Sequence, residues 1–377
     1  MTRMDIYKKS LDLHKKLKGK IKIVSKKSVK TRNDLSLLYT PGVAGISLEI
    51  AKNIQSARDL TIKGNSVAVV SDGSAVLGLG DIGPEASLPV MEGKCLLFKE
   101  FAGVDAFPIV LGTKDVEEIV QTVKNISPGF GGINLEDISA PRCFEIEESL
   151  QNIGIPVFHD DQHGTAIVIL AALTNALQVV GKNLKNVKVV IMGAGAAGIA
   201  TAKILEVREL VLVDSKGVVT KNRRDLNKYK GEIVMRPYYS SASNIEEAFK
   251  NADVFIGVSG KGRLEPSFIG LMNKKPIIFA LSNPNPEILP EAAKKVGAAV
   301  VATGRSDFPN QINNVLAFPG VFRGLLDKKA KKVTEKMKLA AATSLAKMVR
   351  KPTPEEILPS PLNKNVAKEV AKAILKS

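Results

Sequence analysis

The chain has 377 residues, 45% hydrophobic and 24% charged, an ordinary soluble composition with length enough for two or three domains that each bury a core. Its net charge of +16 is spread along helical segments such as LDKKAKKVTEKMKLAAATSLAKMVRK, Trp is absent and aromatics are 5%, which argues against a nucleic-acid partner and leaves long-range attraction of anionic substrates. Only two cysteines, Cys95 and Cys143, occur, too few for a disulfide framework and consistent with a reducing cytoplasm, and the polar start MTRMDIYKKSLDLHKKLKGK lacks the apolar run of a signal peptide.

Residues 1–30 read as one or two helices ending in a basic linker. A turn follows over Tyr39, Thr40, Pro41 and Gly42, and a helix is expected from Ser47 to Ala57. NSVAVVSDG is a short apolar strand ending in an Asp-Gly turn. LGLGDIGPEASLP is too rich in glycine and proline for a regular element and reads as a functional loop. A helix carrying Lys94 should start near Pro89. Strands at 105–111 and 130–135, helices at 115–125 and 140–152 and the strand IPVF complete a small α/β domain, set at 1–160. The stretch Thr165 to Val180 is apolar but broken by threonine, asparagine and glutamine, so it reads as a buried helix and not a membrane span.

From Asn186 to Thr303 the segments VKVVIMG, ELVLVD, VFIGVSG, KPIIFAL and GAAVVATG are five Val- and Ile-rich strands without polar alternation. Strands covered on both faces read this way, and right-handed crossovers order them as a parallel sheet. Functional loops should follow their carboxyl ends, at Gly260, at Ser282, Asn283 and Pro284, and from Thr303 to Ser306. After Pro319 lysine-rich helices, set at 319–377, are expected to pack back on the first domain.

The most informative stretch is VKVVIMGAGAAGIATAKIL followed by VLVD. Gly193, Gly195 and Gly198, with Ala194, Ala196 and Ala197 between them, have the G-x-G-x-x-G spacing, and Asp214, followed by Ser215, lies 21 residues after Gly193. The glycines allow a tight turn, close approach of backbone to a pyrophosphate and close helix–strand packing. The phosphates then sit on free N–H groups at the helix start, and the acid reaches the ribose. Residues 161–318 are therefore expected to form a Rossmann-like domain binding NAD or NADP.

Glu136 and Asp137 follow one strand, and Asp160 and Asp161 another. Paired acids at two strand ends are costly to bury unless a cation neutralises them, and hard oxygen ligands favour Mg²⁺ or Mn²⁺. Helix-terminal charge and capping are the plainer explanations. His159 and His163 are better suited to lining or orienting this loop than to binding zinc, with no cysteine nearby. Lys94, in VMEGKCLLF, has an apolar setting in which its pKa could fall and make it a base. Tyr39, in LLYTPG, is a proton donor or a packed ring.

Taken together, SLLYTPGVA, VVSDGSAVLGLGDIGPEASLPVMEGK, KEFAGVDAFPI, GGINLEDISAPRCFEIE, PVFHDDQHGTA, IMGAGAAG and RSDFPNQINNVLAFPG, between Asp34 and Phe322, resemble the malic enzymes of the short bacterial and archaeal type. The resemblance implies a two-domain α/β fold and divalent-metal-dependent oxidation and decarboxylation of (S)-malate to pyruvate and CO₂ with NAD(P)⁺. It implies that Lys94 is the general base and Tyr39 the acid that protonates the enol. Glu136, Asp137 and Asp161 would be the metal ligands with Asp160 beside them. Asn283 and Asn314 would hold substrate and nicotinamide ribose, and Gly193, Gly195, Gly198 and Asp214 the rest of the cofactor. It also implies a homodimer or larger assembly. The arginine that larger relatives carry after the Asp-Gly turn is missing here, where the loop runs Gly73, Ser74, Ala75, Val76, so another group must hold the malate carboxylate. The phosphotransacetylase-like domain of some relatives is not expected here, with the sequence ending at Ser377. Asp214 leans the cofactor choice to NAD, with Lys216 and the run Lys221 to Arg224 pulling the other way. Two competing readings are a metal-independent 2-hydroxyacid or amino-acid dehydrogenase, which leaves the acids without a role, and a non-enzymatic dinucleotide-binding redox sensor, which leaves Lys94 and Tyr39 without one.

Overall fold

Two sheets follow one another along the chain in the computed structural model, which describes residues 3–259 and 264–377. The first holds β1 (Ser66–Ser71), β2 (Asp105–Val110), β3 (Gly132–Leu135) and β4 (Val157–His159), all parallel, in the order β2-β1-β3-β4. The second holds β5 (Lys188–Met192), β6 (Glu209–Asp214), β7 (Gly217–Val218), β8 (Val254–Gly257), β9 (Ile277–Ala280) and β10 (Val300–Thr303) in the order β10-β9-β8-β5-β6-β7. Its five predicted strands are parallel, and β8, β9 and β10 are buried throughout, as their unbroken apolar runs require. The sixth, β7, pairs antiparallel with β6 and escapes sequence reading because two residues carry no periodicity. The expected loop at Gly260 lies outside the described residues.

Strand order reverses between β5 and β8, and at that switch point a crevice opens beyond the carboxyl ends. The glycine turn sits over it. A Cβ on Gly198 would lie 1.7 Å from the Gly193 carbonyl oxygen, so only glycine lets the helix Ala196–Ile204 close on its own turn. Gly198→Ala is expected to cost at least about 3 kcal/mol, in the range of severe overpacking, and to lower dinucleotide affinity. Chemical denaturation and titration with NADH and NADPH would check both.

Two helices begin earlier than the sequence suggests. The Lys94 helix runs Pro84–Ala102, five residues ahead of Pro89, because Pro84 suits its first turn and Pro89 is absorbed inside it. The helix expected at Ser47 runs Gly42–Lys52, directly from the Tyr39–Gly42 turn. The N-terminus forms one helix, Arg3–Leu17. Asp160–Val180 has the length and apolar composition of a membrane span, but Ala166 to Leu173 are all buried and Asn175 donates to the Ala346 and Ile357 carbonyls, so it is a core helix. The C-terminal helices Phe318–Asp327, Glu335–Lys347 and Asn365–Lys376 return to the first layer. Phe318 and Phe322 meet Phe98 edge-on at 4.8 and 5.3 Å, and Phe322 also meets Phe158. The architecture is two-domain α/β with a Rossmann-like second domain.

Candidate active site

The parallel register of β3 and β4 pairs Leu135 with His159, so the acids that follow each strand leave the sheet side by side. One ligand oxygen from each of Glu136, Asp137 and Asp161 falls within 4.8 Å of the others. Asp137 adopts a left-handed φ of +53°, and its backbone N–H donates to Asp161 Oδ2 at 2.8 Å. A non-glycine residue held there is strained, and such strain concentrates at functional positions. Its Oδ2 is buried without a hydrogen-bond partner among the described residues. Burial first, and the neighbouring carboxylates after it, raise the Glu136 pKa and push Asp137 up to about 8. Three crowded oxygens that resist ionising together are the donor set a hard divalent cation neutralises, so the residues fit Mg²⁺ or Mn²⁺.

Lys94 projects into the same cluster. Its Nζ lies 3.0 Å from Glu136 Oε1, contacts Asp160 Oδ2 and sits 4.2 Å from the Phe318 ring centroid. The apolar setting read from VMEGKCLLF is therefore corrected: the neighbours along the helix are apolar, but those across the fold are acids. Burial alone would lower the Lys94 pKa, yet Asp160, Glu136 and Asp161 outweigh it and the pKa is raised. Burial lifts Asp160 against the pull of Lys94, to about 6. Asp160 fits because residue 164 is glycine, where a Cβ would stand 1.8 Å from Asp160 Oδ1.

Asp160–Gly164 forms a π-turn that runs directly into the helix Thr165–Val180, one turn earlier than the helix start expected at Gly164. Glu147, buried in the helix Arg142–Leu150, accepts from the His159 backbone N–H at 3.0 Å and pairs with His163 Nε2 at 2.9 Å. His163 thus orients the turn. His159 is fully buried, its pKa lowered by burial, with Asp161 3.7 Å away. Glu147 was not singled out from sequence; the only hint is an acid on the apolar face of CFEIEESL.

A cavity of about 310 Å³ gathers Lys94, Glu136, Asp137 and Asp161 with Ala197 of the glycine turn and with Asn283 and Asn314. Asn313, Thr165 and Leu77 also line it and went unnoticed, since nothing local in the sequence marks them. Gly193, Gly195, Gly198, Asp214 and Ser215 lie beyond this cavity, around the glycine turn and the end of β6. The loop Gly73 to Val76 is braced from outside: Arg142 pairs with Asp72 at 2.9 Å and donates to Ser74 and Ser139. Glu287, buried, accepts from Ser282 and Ser259 at the ends of β9 and β8 and so fixes the loop that presents Asn283.

Tyr39 is not brought to the cavity. It is 66% exposed, and the helices Arg32–Leu38 and Gly42–Lys52 that flank it bury no residue. Leu35, Leu37, Leu38, Val43, Ile46 and Leu48 are exposed with it.

Comparison with known proteins adds an independent line. Residues 18–151 match the family model described as malic enzyme, N-terminal domain, and residues 162–377 the model described as malic enzyme, NAD binding domain. The chain is 53% identical over 382 residues to a bifunctional malic/malolactic enzyme of Bacillus subtilis, covering 99% of this chain and 93% of that protein. It is 55% identical to an NAD-dependent malic enzyme of Geobacillus stearothermophilus, over 95% of this chain and 76% of that protein. Among solved structures, an NAD-dependent malic enzyme of Thermotoga maritima superposes with a TM-score of 0.93 at 48% identity, covering 97% and 98% of the two chains.

Proposed function

The chain belongs to the malic enzyme family, whose members decarboxylate malate oxidatively to pyruvate with NAD(P)⁺, and we propose that it does so with Lys94, Asp160 and Tyr39 at a divalent-metal centre of Glu136, Asp137 and Asp161. The observation that carries the assignment is the shared cavity. The acid cluster, Lys94 and the glycine turn face one space sized for a small dicarboxylate. Residues 1–160 form the malic domain with Lys94, Glu136, Asp137 and Asp160, 161–318 the dinucleotide-binding domain, which also brings Asp161, Asn283 and Asn314 to the site, and 319–377 the helices that brace the first sheet.

When bound, the divalent cation supplies a Lewis acid for the malate hydroxyl and for the charge left as CO₂ departs, and its own charge offsets the carboxylates that hold the Lys94 proton. The dinucleotide supplies the hydride acceptor. Lys94 passes a proton to Asp160, which it touches, and takes up the C2 hydroxyl proton. Asn283 and Asn314 orient the carboxylate and the nicotinamide ribose, the task left open by the missing arginine. Closure of the cleft between the domains excludes water.

Tyr39 enters as a residue of a second copy. The exposed apolar face around it is of the kind that marks a protein interface, and a homodimer formed there would let the partner subunit's Tyr39 protonate C3 in this cavity. The compartment is the cytoplasm, supported by two buried free thiols, and no nucleic acid takes part, since the positive charge is dispersed.

The test is NAD(P)H formation from L-malate with Mn²⁺ or with EDTA, with pyruvate assayed in parallel. Metal-dependent reduction with equal pyruvate is expected. Reduction that ignores EDTA and releases no CO₂ would favour a plain dehydrogenase. Lys94→Ala is expected to lower kcat by about 10²–10⁴-fold, the usual share of a general base, while NADH titration shows cofactor binding intact. Full activity would remove Lys94 from the chemistry.

A further inference from the structure

Asp214 closes β6 directly beside the glycine turn, where the Gly193 N–H donates to the Val213 carbonyl at 2.8 Å. An acid at this place ordinarily accepts from the ribose hydroxyls of NAD. Here its oxygens are already taken. Oδ1 accepts from Arg223 Nη1 at 2.8 Å and from the Lys216 backbone N–H at 2.9 Å. Oδ2 accepts from Arg223 Nη2 at 3.0 Å and from Lys230 Nζ at 2.5 Å. A carboxylate has about four lone-pair sites, and all are filled.

The arrangement is built into the fold. The side chains of Asp214, Arg223 and Lys230 are 9%, 15% and 17% exposed. Arg223 also forks onto Asp225, at 2.9 Å from Nε and 2.7 Å from Nη2, and Lys216 Nζ reaches Asp225 at 2.8 Å. Burial works against ionising Asp214, but the bonds from Arg223 and Lys230 outweigh it and hold its pKa at about 2. The acid is a fixed anion under a cover of cations. Arg223, Lys230 and Lys216 face Asp214 and Asp225, which leaves one positive charge in excess at the ribose end of the crevice.

We propose that this cluster reads the 2′-phosphate of NADP⁺, with Lys230, Lys216 and Arg223 as its donors, and that Asp214 is a positioning residue that anchors those cations and not a ribose acceptor. The inference rests on the dinucleotide-binding reading of the same site and goes beyond it in the choice of cofactor. A neutral ribose hydroxyl would have to displace a charge-assisted hydrogen bond to reach Asp214, trading a stronger bond for a weaker one. A phosphate faces no such exchange. Each lysine ammonium has three N–H groups, so Lys230 and Lys216 can turn one toward a phosphate while the Arg223 fork stays closed on Asp214.

The probes are 2′,5′-ADP and 5′-AMP, titrated calorimetrically into the intact protein, since neither needs malate, metal or nicotinamide. The wild-type protein is expected to bind 2′,5′-ADP at least about tenfold more tightly than 5′-AMP, the effect of one or two charge-assisted contacts, and NADPH more tightly than NADH by a similar factor. Lys230→Met, alone and with Lys216→Ala, should bring the ratio toward one by weakening 2′,5′-ADP binding, and the oxygen of Asp214 that Lys230→Met frees should if anything strengthen 5′-AMP binding. Lys216 is 68% exposed, so its replacement tests the charge without risk to folding. Equal wild-type affinity for the two probes, or a ratio that survives the double variant, overturns the proposal. Preference for 2′,5′-ADP in a protein that does not oxidise malate would uphold it and remove the malate reading; malate oxidation with equal probe affinities would do the reverse.

Discussion

Two inactive variants, Lys94→Ala and Tyr39→Phe, are expected to recover activity when their subunits are mixed. Each alone should fall by about 10²–10⁴-fold, the usual share of a general acid or base. After joint unfolding and refolding, random pairing makes half of the dimers mixed, and one of the two sites in each mixed dimer has both groups intact. The recovered rate is therefore about a quarter of wild type. The expectation follows from placement: Lys94 is buried in the acid cluster, while Tyr39 stands on an apolar face left exposed by the described residues. Were Tyr39 to act in its own subunit, no mixed dimer would hold a complete site, and the mixture would stay inactive. Leu37→Glu, on the same face, should give a monomer by sedimentation and lose activity with it.

A second substitution should move stability and activity in opposite directions. Asp161→Asn removes one of three crowded carboxyls and with it the second-largest contribution to the raised Asp137 pKa, after burial. The metal-free variant is expected to unfold at a higher temperature than metal-free wild type. Malate turnover should drop by at least about 10³-fold with loss of one ligand charge, and the stabilisation given by Mn²⁺ should vanish. In wild type that stabilisation is about 2.7 kcal/mol at a hundredfold excess over Kd. The pH dependence has a definite sign. A carboxyl whose folded pKa lies near 8, against about 4 unfolded, binds its proton more tightly in the native state. Its contribution to metal-free stability is complete below pH 4 and is lost as pH rises toward 8. Saturating Mn²⁺ should flatten or reverse that slope. Thermal melts across pH 5–8 with EDTA or Mn²⁺ would decide, and an Asp161→Asn protein that still gains stability from Mn²⁺ would rule out this ligand set.

Chemistry carried by consecutive residues was legible from the sequence; chemistry made by approach across the fold was not. The glycine turn announces itself because its spacing is local and Gly193 and Gly198 meet within six residues. The pairs Glu136, Asp137 and Asp160, Asp161 could be set at strand ends because both strands read as apolar runs. Lys94 stands out in the sequence for an apolar setting that the fold does not give it. Its helix neighbours are apolar, and only the parallel register of β3 and β4 reveals that Glu136 and Asp160 face it. Asp214 shows the same limit: the strand end was found, but not that Arg223 and Lys230 would occupy its oxygens. Glu147 and Glu287 act through distant loops and carry no local pattern at all. Tyr39 is recognisable by motif alone, because in the fold it stands exposed and away from the cavity.

The π-turn at Asp160–Gly164 fixes how many residues this part of the chain can have. It fits one residue more per turn than an α-helix, and the helix Thr165–Val180 is anchored in the core behind it. Removing a single residue would tighten the turn and swing Asp160 and Asp161 by about 100° about the helix axis, the angle of one α-helical residue. Asp161 would point away from Glu136 and Asp137, and Lys94 would lose Asp160 while keeping Glu136. Loops elsewhere on the molecule can lengthen or shorten at little cost. Between β4 and this helix, the residue count itself is under constraint, as strictly as the identity of any side chain.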